Sequence, residues 1–309
     1  MLKLGIIGLS EGNGHPYSWS AIINGDYDEA LMEACGYPVI PAYLRANRDT
    51  LGIEDARVTH IWTQDRALSE HVAGASYIDE VVDELEDLVG QVDAVLLARD
   101  DPENHVAMAR PFLDSGVPLF VDKPLAFCRE DLEYFRTQVD AGRFLMSCSA
   151  LRYSSGVQSA RVQIPALGPL ELAIAVGKKD LRKYAIHYLE GMFSLLGDPT
   201  PVSVRHVGEA GRDTVLVDFE GGLVAAVHVF RDIAPGGELN VYGRDGHLNV
   251  THGGTYPSFR ASLVEAIRSF RQGSPRLDFR KTCNVISTLI AARESLEQGG
   301  ARIQLPLTM

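Results

Sequence analysis

Three apolar runs constrain the fold more than any other feature of this chain: Leu2-Lys-Leu-Gly-Ile-Ile-Gly8, Asp93-Ala-Val-Leu-Leu-Ala98 and Pro118-Leu-Phe-Val-Asp-Lys-Pro124. The second is apolar at successive positions, as expected of a parallel strand covered on both faces rather than one with a wet side. Segments of helical length separate the runs: one from Tyr17, one over 68–73, one over 81–88 and one ending at Ser115-Gly116. Strands alternating with helices predict a doubly wound parallel sheet, here also drawing on strands over 58–62, 77–78 and 144–148 and a helix over 129–141. Residues 36–55 contain two prolines and little periodicity, and read as an insertion before the 58–62 strand.

Beyond residue 150 the pattern changes. Strand-like segments at 170–176, 202–207, 214–219, 223–230, 238–242 and 247–250 are separated by turns such as Glu220-Gly-Gly222, Pro235-Gly-Gly237 and Arg244-Asp-Gly246. These predict a mostly antiparallel sheet with hairpins. One helix over 181–196 interrupts the series, and helices over 259–272 and 280–298 follow it. Residues 1–125 are expected to form the first domain and 126–309 an α+β domain. Along 223–230, Leu223, Ala225, Val227 and Val229 fall on one face and Val224, Ala226 and Phe230 on the other. Helices can cover one face, and a second copy of the chain is the expected cover for the other, as homodimer or homotetramer.

A chain of 309 residues, 46% hydrophobic, is long enough for two cores. Its net charge of −12, from 41 acidic and 29 basic residues, argues against general affinity for nucleic acid or anionic membrane. No apolar run approaches the ~20 residues that span a bilayer, and a strand is entered by Leu4, so a cytoplasmic protein is expected. Cys35, Cys128, Cys148 and Cys283 are scattered without a CxxC pair, which favours reduced cysteines and no metal site.

The chemistry concentrates at strand ends. Lys123 leaves an apolar strand at its carboxyl end, the place where open α/β sheets bind ligands, and Pro124 restricts its direction. Gly8 and the stretch Ser10-Glu-Gly-Asn-Gly-His-Pro16 join the first strand to the first helix, as in a phosphate-binding βα unit. Counted from Gly8, the second and third glycines of that fingerprint are Ser10 and Asn13, with Gly12 between them. At the end of the 58–62 strand, where an acid would bind the adenosine ribose, the chain has Thr63-Gln-Asp-Arg66. Thr63, Asp65 and Arg66 are the candidates there; the pattern leans to NAD with NADP the alternative.

Several ordered landmarks give the chain a resemblance to the Gfo/Idh/MocA oxidoreductases over nearly its whole length. The 93–98 strand is followed by Pro102 and His105; Asp122-Lys-Pro124 resembles that family's Glu-Lys-Pro; Arg152-Tyr153 resembles its Arg-Tyr pair; and His187-Tyr-Leu-Glu190 before Leu195-Leu-Gly197 keeps its histidine spacing. The resemblance implies a dinucleotide-binding Rossmann domain, NAD or NADP, and hydride transfer at a carbinol carbon of a sugar or cyclic polyol. It implies that Lys123 lies near the reacting hydroxyl, that His187 exchanges its proton with Tyr184 nearby, that His105 belongs to the cofactor site, and that Arg152 and Tyr153 belong to the substrate site. Glu190 either fixes the His187 tautomer or makes a packing contact.

The chain also departs from that pattern. Where relatives place an aspartate four residues before the histidine, this chain has Lys183, within the basic cluster Lys178, Lys179, Arg182 and Lys183. Clustered cations supply charge-assisted hydrogen bonds, so the cluster is expected to receive an anionic substrate such as a sugar acid, a sugar phosphate or a nucleotide-linked sugar. A non-catalytic dinucleotide-binding regulator of the same fold is the contrasting expectation, and redox-assisted elimination or hydrolysis a third.

Overall fold

The computed structural model describes residues 1–234 and 237–306. The chain forms two compact units. The first contains Met1–Leu125, Tyr134–Ser147 and Phe259–Phe279; the second contains Ala126–Glu133, Cys148–Ser258 and the chain from Arg280 onward. The expected single division after residue 125 is therefore corrected, because two later segments return to the first unit.

The first unit is built on six parallel strands: β1 (Leu2–Gly8), β2 (Ala56–Thr63), β3 (Glu80–Val81), β4 (Ala94–Leu97), β5 (Leu119–Val121) and β6 (Leu145–Ser147). Their order is β3-β2-β1-β4-β5-β6. The order of connection therefore reverses between β1 and β4, and the crevice at those carboxyl ends is the ligand position of a doubly wound fold. Every residue of β4 is buried, as its continuous apolar run requires.

Helix α1 (His15–Asn24) starts two residues before the expected Tyr17, with Pro16 in its first turn where a missing N–H costs nothing. The insertion is helical: it forms α2 (Glu29–Glu33), capped by the Asp28 carboxylate, and α3 (Val39–Ala46). Pro38 and Pro41 disguised α3, yet they stand at its N-cap and first turn, which tolerate proline. The strand expected at 77–78 forms instead at Glu80–Val81. Tyr77 closes α4 (Arg66–Ser76) in the left-handed conformation and delays it. The helix expected over 81–88 is only a short 3₁₀ turn at Leu85–Leu88. Helices α5 (His105–Ser115) and α6 (Arg129–Asp140) agree with expectation.

The second unit carries β7 (Leu170–Lys178), β8 (Pro201–Glu209), β9 (Arg212–Phe219), β10 (Val224–Phe230), β11 (Glu238–Gly243), β12 (His247–Thr251) and β13 (Ile303–Gln304). They are ordered β12-β11-β7-β10-β9-β8-β13. Only β7 and β10 among the described pairs run parallel, so the sheet is mostly antiparallel as expected. Of the expected turn Pro235-Gly-Gly237, Pro235 and Gly236 lie outside the described residues. The short helix α7 (Ser155–Arg161) and strand β13 had no clear signal in the sequence.

Helix α8 (Ala185–Leu196) begins four residues later than expected. Asp180 explains the delay: its carboxylate accepts the Lys183 N–H at 2.8 Å and its carbonyl the Tyr184 N–H at 3.1 Å, which holds the preceding residues in a turn. Gly177 on β7 has no Cβ because one would stand 1.9 Å from the Tyr188 ring of α8. That close approach seats α8, and with it His187, on the sheet. Helices α9 (Thr255–Gln272) and α10 (Phe279–Glu297) follow. Among the described residues no helix is long and apolar enough to cross a membrane, and no cluster of three metal-ligating side chains occurs.

Candidate active site

Lys123 emerges from β5 in the first unit and is 6% exposed. Its ammonium faces Asp100, at the end of β4, at 3.4 Å. Asp100 also accepts the Ser10 hydroxyl at 2.8 Å, and its own N–H donates to Ser10 Oγ at 3.0 Å. The Ser10 that breaks the glycine fingerprint therefore joins the glycine turn to β4. Asn13, the other departure, donates its amide to Asp122 at 2.9 Å, and its carbonyl oxygen accepts the His15 N–H at 2.8 Å. Gly8 and Gly14 serve packing: a Cβ on either would stand within 2.3 Å of Pro16 or 2.6 Å of Ile40 from the insertion.

Asp122 is fully enclosed. Burial pushes its carboxyl up, but the charges of His15 and Lys123 and the hydrogen bonds around it outweigh burial and hold it well below the usual carboxylate range. His15 was not among the expected site residues. Its Nδ1 lies 2.6 Å from Asp122 Oδ2, its ring stacks on Trp19 at 4.7 Å, and Phe259 meets it edge-on at 4.9 Å. The signal available in the sequence was a histidine two residues beyond the third fingerprint position.

The remaining cofactor candidates divide. Thr63 is buried and spent locally, its hydroxyl on the Asp65 carbonyl and Ser69. Asp65 does not turn toward a ribose: its carboxylate caps α4 on the Ala67 and Leu68 amides. Arg66 pairs with Glu70 and Asp83 on the surface. Beside them an open cavity of about 520 Å³ is lined by Trp62, Thr63, Gln64, Arg66, Val82, Asp83 and Glu84. His105 is fully buried, with Nε2 and Nδ1 each 3.0 Å from the carbonyls of Arg99 and Leu125. Burial pushes its pKa below the ordinary value despite those acceptors. It ties the exit of β4 to the chain after Lys123.

In the second unit His187 sits in the first turn of α8. Its Nδ1 lies 2.7 Å from the Ser149 hydroxyl, which also accepts the Leu151 N–H at 3.2 Å. Ser149 keeps a second acceptor lobe, so this contact leaves the His187 tautomer open. Glu190 does not set this tautomer. It binds Arg152 Nε at 2.5 Å, while Arg152 Nη1 reaches Asp198 at 2.8 Å and Lys281 meets the same Asp198 at 2.8 Å. Arg152, 3% exposed, spends Nε and Nη1 on carboxylates, while its buried Nη2 has no hydrogen-bond partner. Tyr153 is half-buried beside it. The Tyr184 ring stands edge-on to His187 at 5.5 Å, and the Lys179 ammonium lies 4.0 Å from that ring and bonds its hydroxyl. Lys178 and Lys183 are half-buried, Lys179 and Arg182 exposed.

Residues 32–141 match the model of the GFO_IDH_MocA oxidoreductase family, NAD-binding Rossmann fold. The match begins after the glycine turn, the part that departs most from the fingerprint. A myo-inositol dehydrogenase from Lactobacillus casei, solved with NAD(H) and myo-inositol, superposes with a TM-score of 0.78 at 16% identity, covering 100% of this chain and 98% of that one. A putative myo-inositol dehydrogenase from Sinorhizobium meliloti gives 0.77 at 16%, covering 99% and 100%. A probable dehydrogenase from Thermotoga maritima gives 0.78 at 14%, covering 98% and 99%. A search of curated proteins returns no match. Residues 32–141 thus match the model of the NAD-binding Rossmann fold of that oxidoreductase family, in line with the resemblance read from the sequence, and the whole chain shares the fold of solved inositol dehydrogenases.

Proposed function

We propose that this protein is an NAD-dependent dehydrogenase or reductase that transfers a hydride to or from a carbinol carbon of a sugar-like substrate carrying an anionic group. The observation that carries the reading is Lys123, buried at the exit of β5 in a doubly wound sheet whose family model is that of NAD-binding oxidoreductases. The dinucleotide fits this frame at its adenosine end, where the cavity beyond Thr63 lies at the carboxyl end of β2. Gly8, Ser10, Gly12 and Asn13 form the turn that would meet the pyrophosphate, and Thr63, Gln64 and Arg66 would line the adenosine side. Arg66 is already faced by Glu70 and Asp83, which oppose a 2′-phosphate and favour NAD over NADP.

When bound, the nicotinamide ring supplies or accepts the hydride. The chain's own residues handle the oxygen and its proton. Lys123 stabilises negative charge developing on the substrate oxygen, and His187, with Tyr184 beside it, donates to that oxygen in the reductive direction and takes the proton back in the oxidative one. The cluster Lys178, Lys179, Arg182 and Lys183, one end of which borders α8, supports an anionic substrate. The partly exposed face of the second sheet, with Leu172, Ile174, Leu216 and Val224 across adjacent strands, supports assembly through a second copy. Light scattering would then give a mass above the 33.8 kDa monomer.

The test is nicotinamide absorbance on incubation with pools of neutral polyols, sugar acids, sugar phosphates and nucleotide sugars. Turnover of an anionic pool supports the whole reading, and a best substrate among neutral polyols removes the anionic part. Dinucleotide binding by calorimetry with no turnover of any pool sinks the enzyme reading in favour of a regulator.

A further inference from the structure

We propose that Gln64 meets the adenosine ribose as a hydrogen-bond donor, in place of an acceptor acid, and that the carboxylates of Asp83 and Glu84 take over the rejection of a 2′-phosphate. The inference rests on the dehydrogenase reading and deepens it at the cofactor site, and every residue it uses belongs to the first unit.

An acid after the second strand accepts from the ribose hydroxyls and by its charge repels a 2′-phosphate, so a single side chain performs both tasks. Neither candidate after β2 does so here. The Thr63 hydroxyl is spent on the Asp65 carbonyl and Ser69, and the Asp65 carboxylate caps α4. Gln64 stands between them, exposed, and lines the cavity of about 520 Å³. Its Oε1 accepts the Leu9 N–H at 3.1 Å and Arg99 Nη1 at 2.9 Å. Both partners can only donate, so the amide cannot be turned over and its carbonyl lone pairs face the chain leaving β1 and β4. Arg99, 7% exposed, is itself held, with Nε 2.9 Å and Nη2 2.5 Å from the two oxygens of Asp101. The Gln64 amide nitrogen has no partner among the described residues, which leaves both its N–H groups for an oxygen of a ligand. A clasp between strand exits explains the contacts of Oε1 and gives no use to the amide end.

A neutral donor serves a ribose hydroxyl and a 2′-phosphate alike, so Gln64 does not choose between NAD and NADP. The choice falls to the charged residues of the same cavity, Arg66 against Asp83 and Glu84. Arg66 is already held by Asp83 and by Glu70 outside the cavity. Trp62 Nε1 donates to the Asp83 carbonyl at 3.2 Å and fixes that residue on the cavity wall. The wall is therefore net acidic, which accepts hydroxyls and opposes a phosphate.

Calorimetric titration with NAD and NADP tests the assignment. Gln64→Glu keeps an acceptor for Leu9 and Arg99 but turns the donor end into a carboxylate oxygen, and because Asp101 already balances Arg99 the added charge is net. The Kd for NADP should rise about tenfold or more while that for NAD stays or falls, and the gap should shrink with added salt. Asp83→Asn combined with Glu84→Gln, which keeps the backbone contact to Trp62, should lower the Kd for NADP about tenfold and leave that for NAD nearly unchanged. In nitrogen-15 spectra of the parent, the side-chain amide pair missing from Gln64→Glu should move when NAD is added and stay when nicotinamide mononucleotide, which has no adenosine half, is added. An unchanged NADP-to-NAD ratio in Gln64→Glu, or an amide pair that NAD does not move or that the mononucleotide moves equally, overturns the role of Gln64, while NAD binding by the parent leaves the dehydrogenase reading standing. Loss of Tm and of both dinucleotides in Gln64→Glu also overturns it, marking a clasp. An unchanged ratio in the Asp83→Asn, Glu84→Gln variant, or a parent that binds NADP more tightly than NAD, overturns the part given to the carboxylates. A parent that binds neither dinucleotide overturns the proposal together with the reading it rests on.

Discussion

Buried charge is arranged in opposite ways in the two units. In the second, Arg152 meets Glu190 at 2.5 Å and Asp198 at 2.8 Å, and Lys281 closes the set on Asp198 at 2.8 Å. Burial alone would lower the Arg152 pKa, but the two carboxylates raise it above its ordinary range, and the group stays charged. In the first, Lys123 meets Asp100 only at 3.4 Å, and Asp122 takes an amide, a backbone N–H and an imidazole in place of a guanidinium. The tight network joins the 3₁₀ turn at Ala150–Tyr153 to α8 and the chain after it, while the loose one ends at a free imidazole nitrogen. Close mutual pairing of ions fits scaffold, and a longer, looser ion contact at strand ends fits chemistry.

The comparison is broken most directly by removing the cation from each cluster. Lys123→Met should lower kcat by several orders of magnitude, the loss of a charge-stabilising donor, with dinucleotide affinity nearly unchanged and a smaller loss of Tm than Arg152→Met, since Asp100 meets Lys123 only loosely. Arg152→Met should do the reverse, leaving Glu190 and part of Asp198 buried without a counter-ion at a cost of about 3–5 kcal/mol. Denaturant titration of the purified variant reads the second effect. A stable Arg152→Met with a raised KM would return Arg152 to the substrate site, and a destabilised but active Lys123→Met would make Lys123 scaffold.

Part of this contrast is legible in the amino-acid sequence. The apolar runs mark β1, β4 and β5, and the turn spacing marks the second sheet, because burial on both faces and hairpin turns leave strong local patterns. Lys123 is legible because a polar residue ends an apolar strand. What escapes is set by contacts distant in sequence. His15 and Asp122 are separated by 107 positions, and nothing local to either marks the pair. Arg152 and Glu190 each match a family landmark, yet only their meeting shows that they neutralise each other. Helix α3 escapes because its prolines, permitted at a first turn, read as breakers. The start of α8 is misplaced because Asp180 turns its side chain onto the backbone it was expected to lead into a helix.

A smaller effect tests the basic cluster on the edge of the second unit. Lys183 does not stand one helical turn before His187, as the expected helix over 181–196 required, but in the turn that Asp180 holds. Lys179 is partly committed to Tyr184. Lys183→Ala should raise KM for an anionic substrate by one to two orders of magnitude, the size of a charge-assisted contact worth about 1.5–3 kcal/mol, and the difference should shrink with added salt. A salt-independent KM equal to the parent's would return the cluster to solvated surface.

The smallest effect reads the first unit's cluster through acid stability. The folded pKa of Asp122 lies below its unfolded value, because the charges of His15 and Lys123 and its hydrogen bonds outweigh burial. A depressed carboxylate contributes stability that is fully present above its unfolded pKa, about 3.9, and that is lost as pH falls through the lower folded value. The parent should therefore lose stability below about pH 4, and Asp122→Asn, which has no such proton to take up, should lose less over the same range. The Tm difference between the two should be largest near neutrality and should narrow steadily toward acid. Arg152→Met, measured alongside, should narrow at higher pH than Asp122→Asn, because the unpaired Glu190, whose pKa burial already raises, takes up its proton above the ordinary carboxylate range. A Tm difference for Asp122→Asn that stays constant with pH would mean that Asp122 is not ionised in the folded protein. The contrast between the two units would then fall.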